Sequence, residues 1–110
     1  MRKELELEVV QSSGNVFADI GLPDAAELDT KARLCATINA IAARRALTQT
    51  ALAALLGINQ PKVSALQHFK LEGFSVERLM GFLVALGHDV EIVVKAKPRT
   101  RSARIAVKAA

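Results

Sequence analysis

The chain has a single cysteine, Cys35, and contains neither tryptophan nor tyrosine. One cysteine excludes an internal disulfide and favours a reducing, cytoplasmic environment. Because aromatic residues make up only 4% of the sequence, aliphatic side chains and alanine must fill the core. No apolar run approaches the roughly 18 residues of a membrane span, and the opening MRKELELEVV is too charged for a signal peptide. We therefore expect a cytoplasmic protein that does not engage a membrane.

The sequence also lacks the residue clusters that catalysis or metal binding needs. Its two histidines, His68 and His88, have no cysteine or clustered carboxylate at ligand spacing. Cys35 lies among alanines in a predicted helix, a setting more typical of a small core residue than of a nucleophile. No glycine-rich phosphate loop follows a predicted strand. We expect no enzymatic activity, no metal and no cofactor.

Hydrophobic residues form 51% of the 110 residues, enough for one domain with its own core. The charge is unevenly distributed along the chain. Residues 1–29 carry two basic and seven acidic side chains (net −5), and residues 30–94 carry seven and four (net +3). Residues 95–110 carry six basic side chains and no acidic one. This distribution favours a polyanionic partner, although such charge can equally serve only solubility.

Hydrophobic patterning predicts a mainly α chain in three parts. Residues 1–23 begin with ELELEVV, whose strict alternation predicts a strand, and continue as a loop. Residues 24–94 form the helical domain and end with DVEIVVK, whose alternation predicts a short C-terminal strand. That strand needs a partner, either a second copy of itself or ELELEVV of the same chain. Residues 95–110 are predicted to form a basic flexible tail.

Two helices frame the centre of the domain. The first is predicted from about Asp24 to Arg45, with Leu34, Ile38 and Ile41 as its buried stripe. The last is predicted from Val76 to Leu86, with Ser75 as its N-cap and Gly87 as its stop.

Between these helices, the stretch TQTALAALLGINQPKVSALQHF contains a glycine and a proline within a helix-favouring sequence. Thr48 and Asn59 are predicted to cap two short helices. Gly57 can end the first helix in a left-handed conformation, and Pro61 fits the first turn of the second helix. Small and apolar residues then fall at the spacing of a DNA-binding helix-turn-helix. Those expected to point inward across the turn are Leu52, Leu56, Ile58, Val63 and Leu66. The alternative, an ordinary helical hairpin, would need neither this glycine nor a polar outer face.

The outer face of the second short helix carries the candidate DNA contacts. Gln60 offers a donor and an acceptor together, the pattern that reads adenine, and Ser64 can bond to either base type. Pro61 or Ala65 can pack on a thymine methyl, and Lys62 is expected at a phosphate. Arg44, Arg45 and Lys70 are further candidates for phosphate contact. The predicted DNA-binding residues are Thr48, Gln49, Asn59, Gln60, Pro61, Lys62, Ser64, Ala65, Gln67 and His68. For each of them the alternative is a solvated surface side chain.

These residues resemble the Cro/repressor-type (XRE) helix-turn-helix family. LTQTALAALLGINQPKVSAL (47–66) and FSVERLMGFLVALG (74–87) carry the resemblance. The flanking segments GNVFADIGLPDAAEL (14–28) and GHDVEIVV (87–94) are similar to a compact subgroup of HigA-like antitoxins. Together these segments span about residues 14–94.

The resemblance implies a five-helix, lambda-repressor-like helix-turn-helix domain that dimerises and binds an inverted-repeat operator in double-stranded DNA. It also implies a repressor that neutralises a RelE-like protein toxin and controls its own operon. By position, Gln60 and Ser64 match base-contacting residues of the family, and Gln49 and Lys62 match backbone-contacting ones. Pro61 stands where many relatives carry a polar base-reading side chain, so fewer direct contacts to bases are expected here. A stand-alone repressor without a toxin and a pure protein-interaction module remain alternatives.

Overall fold

The computed structural model describes residues 24–109. Four α-helices follow one another in this part of the chain: α1 (Asp24–Arg44), α2 (Gln49–Leu56), α3 (Gln60–Gln67) and α4 (Val76–Ala85). The predicted mainly α architecture is therefore confirmed. The predicted N-terminal strand and the loop after it lie outside the described residues, and the five-helix count is not confirmed.

The inner face of α1, the longest of these helices, forms one wall of the core. Its predicted stripe of Leu34, Ile38 and Ile41 is buried, because residues three or four apart share one face of a helix. The helix ends at Arg44, one residue before the predicted end. Beyond it the chain turns at Ala46, whose φ is 52°.

Three short polar residues begin the other helices, as the sequence predicts. The Thr48 hydroxyl accepts a hydrogen bond from a first-turn N–H of α2 at 3.1 Å. The Ser75 hydroxyl does the same for α4 at 3.1 Å, and the Asn59 side chain does so for α3 at 3.0 Å. Each bond satisfies an N–H group that a helix start leaves unpaired, and such a cap contributes about 1 kcal/mol.

The core lies where α1 packs against α3 and α4 and where α2 packs against α3 and α4. Aliphatic side chains dominate it, with Phe74 and Phe82 meeting edge to face at a centroid distance of 5.8 Å. The largest fully buried side chains are Ile38, Ile41, Leu52, Leu66, Leu79, Val63, Val76 and Cys35. Every described helix supplies at least one of them, so each helix is held mainly by its neighbours.

After α4 the described chain has no regular secondary structure. Gly87 turns the chain away at a φ of 85°, and residues 88–98 form no strand. The predicted C-terminal strand is therefore not confirmed. A strand is stabilised by hydrogen bonds to a second strand, and the described residues of this chain supply none. Val90 packs against the core, whereas residues 92–94 are exposed.

Part of the basic C-terminal segment contacts the domain, which composition alone does not predict. Ile105 and Val107 are half-buried against the core. Further along, Ala109 lies beside Ala36 and Ala40 on α1. Apolar side chains thus attach a segment that the sequence predicts as a flexible tail, and its mobility stays a prediction.

The connection between α2 and α3 generates a stability prediction. Gly57 has a φ of 70°, and a Cβ built there would meet no atom within 4 Å. We therefore expect Gly57→Ala to destabilise the domain by about 1 kcal/mol through backbone strain alone. Gly81 lies inside α4 and also faces open space, so Gly81→Ala should stabilise by about 0.5–1 kcal/mol. Urea unfolding of both variants measures these effects, and an equal stabilisation by the two substitutions would contradict the account.

Candidate nucleic-acid interface

A three-residue connection, residues 57–59, joins α2 to α3. Gly57 ends α2 in the left-handed conformation, with φ 70° and ψ 33°. The next N–H, that of Ile58, returns to the carbonyl of Ala53 at 3.1 Å, and such bonds close a helix end. Pro61 lies in the first turn of α3, as predicted. The glycine and the proline therefore mark the turn between two separate helices.

The two short helices bury one side and expose the other. Leu52 and Leu56 of α2 and Val63 and Leu66 of α3 are buried, and Ile58 is half-buried between the helices. This is the inward set that the helix-turn-helix spacing predicts. Of the predicted DNA-binding residues, three are half-buried: Lys62, Ser64 and Ala65. The exposed ones are Thr48, Gln49, Asn59, Gln60, Pro61, Gln67 and His68.

Side-chain hydrogen bonds connect α2 and α3 across their exposed side. The Gln60 carboxamide donates from Nε2 to Oγ1 of Thr50 at 2.8 Å. The Gln49 carboxamide donates from Nε2 to Oε1 of Gln67 at 2.7 Å. These bonds restrain three of the predicted residues, and Thr50 is a partner that the sequence pattern did not reveal.

The C-terminal end of α3 makes contacts with the residue that follows it and with α1. Nδ1 of His68 lies 2.8 Å from the carbonyl oxygen of Ser64. From α1, the Cys35 thiol donates to the Leu66 carbonyl at 2.9 Å, and the Asn39 carboxamide donates to the same oxygen at 3.2 Å. Two donors on α1 thus hold the last turn of α3 in place.

Burial sets the chemistry of this contact. The Cys35 side chain is fully buried. Desolvation raises the pKa of its thiol from 9.0 to about 11, although the hydrogen bond from Asn39 lowers this pKa by a smaller amount. A buried site disfavours the charged thiolate. Cys35 is therefore protonated at neutral pH and available as a donor, which agrees with its predicted place in the core.

Lys62 has an aromatic contact that its sequence position did not predict. Its ammonium lies 5.3 Å from the centroid of the Phe74 ring, and the guanidinium of Arg78 lies 5.9 Å from the same centroid. A cation over an aromatic face contributes about 0.5–1 kcal/mol at an exposed site. Lys62 therefore helps to attach α3 to the loop before α4, and its phosphate contact stays a prediction.

The three remaining basic candidates are all exposed, and one of them makes a hydrogen bond within the domain. The Arg45 guanidinium donates to the carbonyl of Leu86 at 3.0 Å and so ties the end of α1 to the end of α4. Arg44 and Lys70 are exposed. Within the described residues the ion pair joins Asp29 to Arg33 on α1, so neither Arg44 nor Lys70 is neutralised by an acid there.

Residues 24–109 contain neither a candidate metal site nor a helix that could span a membrane. No group of three or more His, Cys, Asp and Glu side chains in that range could hold a metal ion. None of the helices there combines the length and the apolarity that crossing a membrane requires.

Comparisons with known proteins agree with this geometry. A family model described as a helix-turn-helix domain matches residues 16–95. A solved structure named for an XRE family transcriptional regulator is 63% identical in sequence, and the match covers 80% of this chain and all of that chain with a TM-score of 0.77. No curated protein matches the chain. The chain therefore belongs to the XRE-type helix-turn-helix family of transcriptional regulators.

Proposed function

We propose that the chain is a sequence-specific DNA-binding repressor that places α3 in the major groove. The observation that carries the proposal is the short turn at Gly57, which joins two helices with a buried apolar side and an exposed polar side. In this motif the N-terminal residues of the second helix reach the base edges. The similarity to an XRE family transcriptional regulator supports the same activity.

The proposed base contacts come from the first two turns of α3. Gln60 is exposed at the start of the helix and offers both a donor and an acceptor, as adenine requires. Ser64 follows one turn later and can bond to either base type. Pro61 or Ala65 can pack against a thymine methyl group. Because Pro61 supplies no polar group, we expect few direct base contacts.

The proposed phosphate contacts surround this helix. Thr48 and Gln49 stand at the start of α2, where free N–H groups favour an anion. The exposed Arg44 and Lys70 add positive charge, and Lys62 can reach a phosphate if its ammonium leaves the Phe74 ring. Residues 30–94 have a net charge of +3 (seven basic and four acidic side chains), which favours association with DNA.

We further propose a homodimer formed through residues 90–94. Ile92, Val93 and Val94 expose 41%, 75% and 61% of their surface, and no strand covers them in the described part of the chain. A second copy can pair with this segment across a two-fold axis and satisfy its backbone. Such a dimer would hold two α3 helices at a fixed spacing, as an inverted-repeat operator requires.

The finer assignment that we propose is the antitoxin of a toxin-antitoxin pair with a RelE-like toxin. The support is the resemblance of the flanking segments to HigA-like antitoxins and the separation of charge along the chain. Residues 1–29 have two basic and seven acidic side chains, a net charge of −5. A ribonuclease that binds a polyanion tends to carry a basic surface, so we expect it to contact Glu4, Glu6 and Glu8, together with Phe17 and Asp19. A stand-alone repressor is the alternative.

The test of DNA binding is the response of specific and random duplexes to Gln60→Ala. We expect this substitution to weaken binding to the selected operator by about 1–3 kcal/mol and to relax the preference at one base pair. The comparison variant is Lys70→Ala. It should weaken binding to all duplexes alike and reduce by about one the slope of log affinity against log salt concentration. Lys70 is the better contrast because Lys62 also packs on Phe74. Equal losses on both duplexes for Gln60→Ala would remove Gln60 from the base-reading residues.

The dimer is tested by sedimentation of Ile92→Pro. Proline removes one ladder donor from the proposed intermolecular strand, so the variant should sediment as a monomer with its helical circular dichroism unchanged. Ala103→Pro introduces proline at another exposed, irregular position and should remain dimeric. If the Ile92 variant stays dimeric, residues 90–94 are not the interface.

The antitoxin assignment is tested by deleting residues 1–12 and measuring toxin and operator binding in parallel. The protein used as the probe is the product of the neighbouring gene, obtained by co-expression with the full chain. We expect weaker toxin binding with near-normal DNA binding, because charge complementarity mainly selects a partner and speeds its association. Unchanged toxin affinity would move the contact to α1 or elsewhere, and failure of the full chain to bind the neighbour would favour the stand-alone repressor.

A further inference from the structure

Thr50 and Gln60 form a hydrogen-bonded pair at the exposed junction of the two short helices. Thr50 is the second residue of α2, and Gln60 is the first residue of α3. Nε2 of Gln60 donates to Oγ1 of Thr50 over 2.8 Å, and both residues are exposed. The pair fixes the orientation of the one side chain on α3 that is best suited to reading a base.

This orientation limits what Gln60 can offer to DNA. A glutamine carboxamide has two N–H donors and one acceptor oxygen. With one N–H given to Thr50, one donor and the oxygen remain. Adenine presents one acceptor, N7, and one donor, the N6 amino group, in the major groove. The restrained carboxamide therefore keeps the full complement that adenine needs.

Guanine requires a different set of hydrogen-bonding groups from the side chain that reads it. Its N7 and O6 are both acceptors, so a bidentate contact requires two donors from one side chain. A free glutamine can turn both N–H groups towards this pair, but Gln60 has only one N–H left while its bond to Thr50 persists. The bond thus disfavours guanine without weakening the contact to adenine.

We propose that Thr50 is a specificity-determining residue that acts through Gln60 and biases it towards adenine over guanine. This inference rests on the proposed DNA-binding function. Thr50 is a positioning residue in this scheme, because its hydroxyl orients the carboxamide and itself makes no base contact.

The experiment compares base preference among full-length variants. A preferred duplex is first selected from a random pool by the wild-type protein, and the base pair read by Gln60 is identified as the one whose preference is lost in Gln60→Ala. Affinities are then measured for duplexes carrying adenine or guanine at that position. We expect the wild-type protein to prefer adenine by about tenfold or more, the scale of a bidentate contact.

Two variants remove the Thr50 hydroxyl, and one retains it. Thr50→Val keeps the branched shape and Thr50→Ala keeps a good helix former, and both should narrow the adenine preference to about threefold or less. Thr50→Ser keeps a hydroxyl and should retain the wild-type ratio. Thr37→Val removes a comparable hydroxyl on α1, where it bonds the Arg33 carbonyl, and should leave the ratio unchanged.

Three results would overturn the inference while leaving the repressor function standing. They are an unchanged ratio in both Thr50→Val and Thr50→Ala, a wild-type preference for guanine, or no altered base pair in Gln60→Ala. A wild-type protein that selects no sequence above random DNA is a different outcome, because it would reject the proposed function itself.

Discussion

The short length of α2 and α3 is the constraint on which the rest of the structure depends. Each helix has eight residues, whereas isolated helices shorter than about 12–15 residues are marginal in water. Their stability must come from burial of Leu52, Leu56, Val63 and Leu66 where α2 and α3 pack against each other, α3 against α1, and α2 against α4. A short connection between them limits the conformational entropy that is lost when their apolar faces meet. A left-handed glycine followed by a capping asparagine provides such a connection.

The two sides of α3 therefore have different roles: the buried side holds the helix in place, and the exposed side carries the residues proposed to contact DNA. The buried side of α3 packs into the core, and two donors from α1 hold its last turn through the Leu66 carbonyl. On the exposed side, Gln49 and Gln60 are restrained by bonds across the two helices. Side chains that are held before binding lose less conformational entropy when they contact a ligand. The proposed recognition surface is therefore preorganised, although it lies on a helix too short to be stable alone.

The sequence predicted the local features well and the long-range ones poorly. The two ends of α2 and the start of α3 were predictable because Thr48, Gly57 and Asn59 act on backbone within a few residues. The Cys35 thiol and the Leu66 carbonyl are 31 residues apart, and no periodicity signals that they meet. The same applies to Lys62 and Phe74. The C-terminal strand was not confirmed because alternation identifies a segment suited to pairing but does not supply its partner.

Site-directed photocross-linking from α3 tests most directly the central claim that α3 meets the bases. Cys35 is buried and its thiol has a pKa of about 11, so a cysteine introduced on the surface can be labelled selectively, with the unsubstituted protein as the labelling control. Pro61→Cys places the label on the exposed first turn of α3, and Ala36→Cys places it on an exposed position of α1. The account predicts cross-links from position 61 to bases of the selected duplex and few or none from position 36. Equal cross-linking from both positions, or none from position 61, would contradict it.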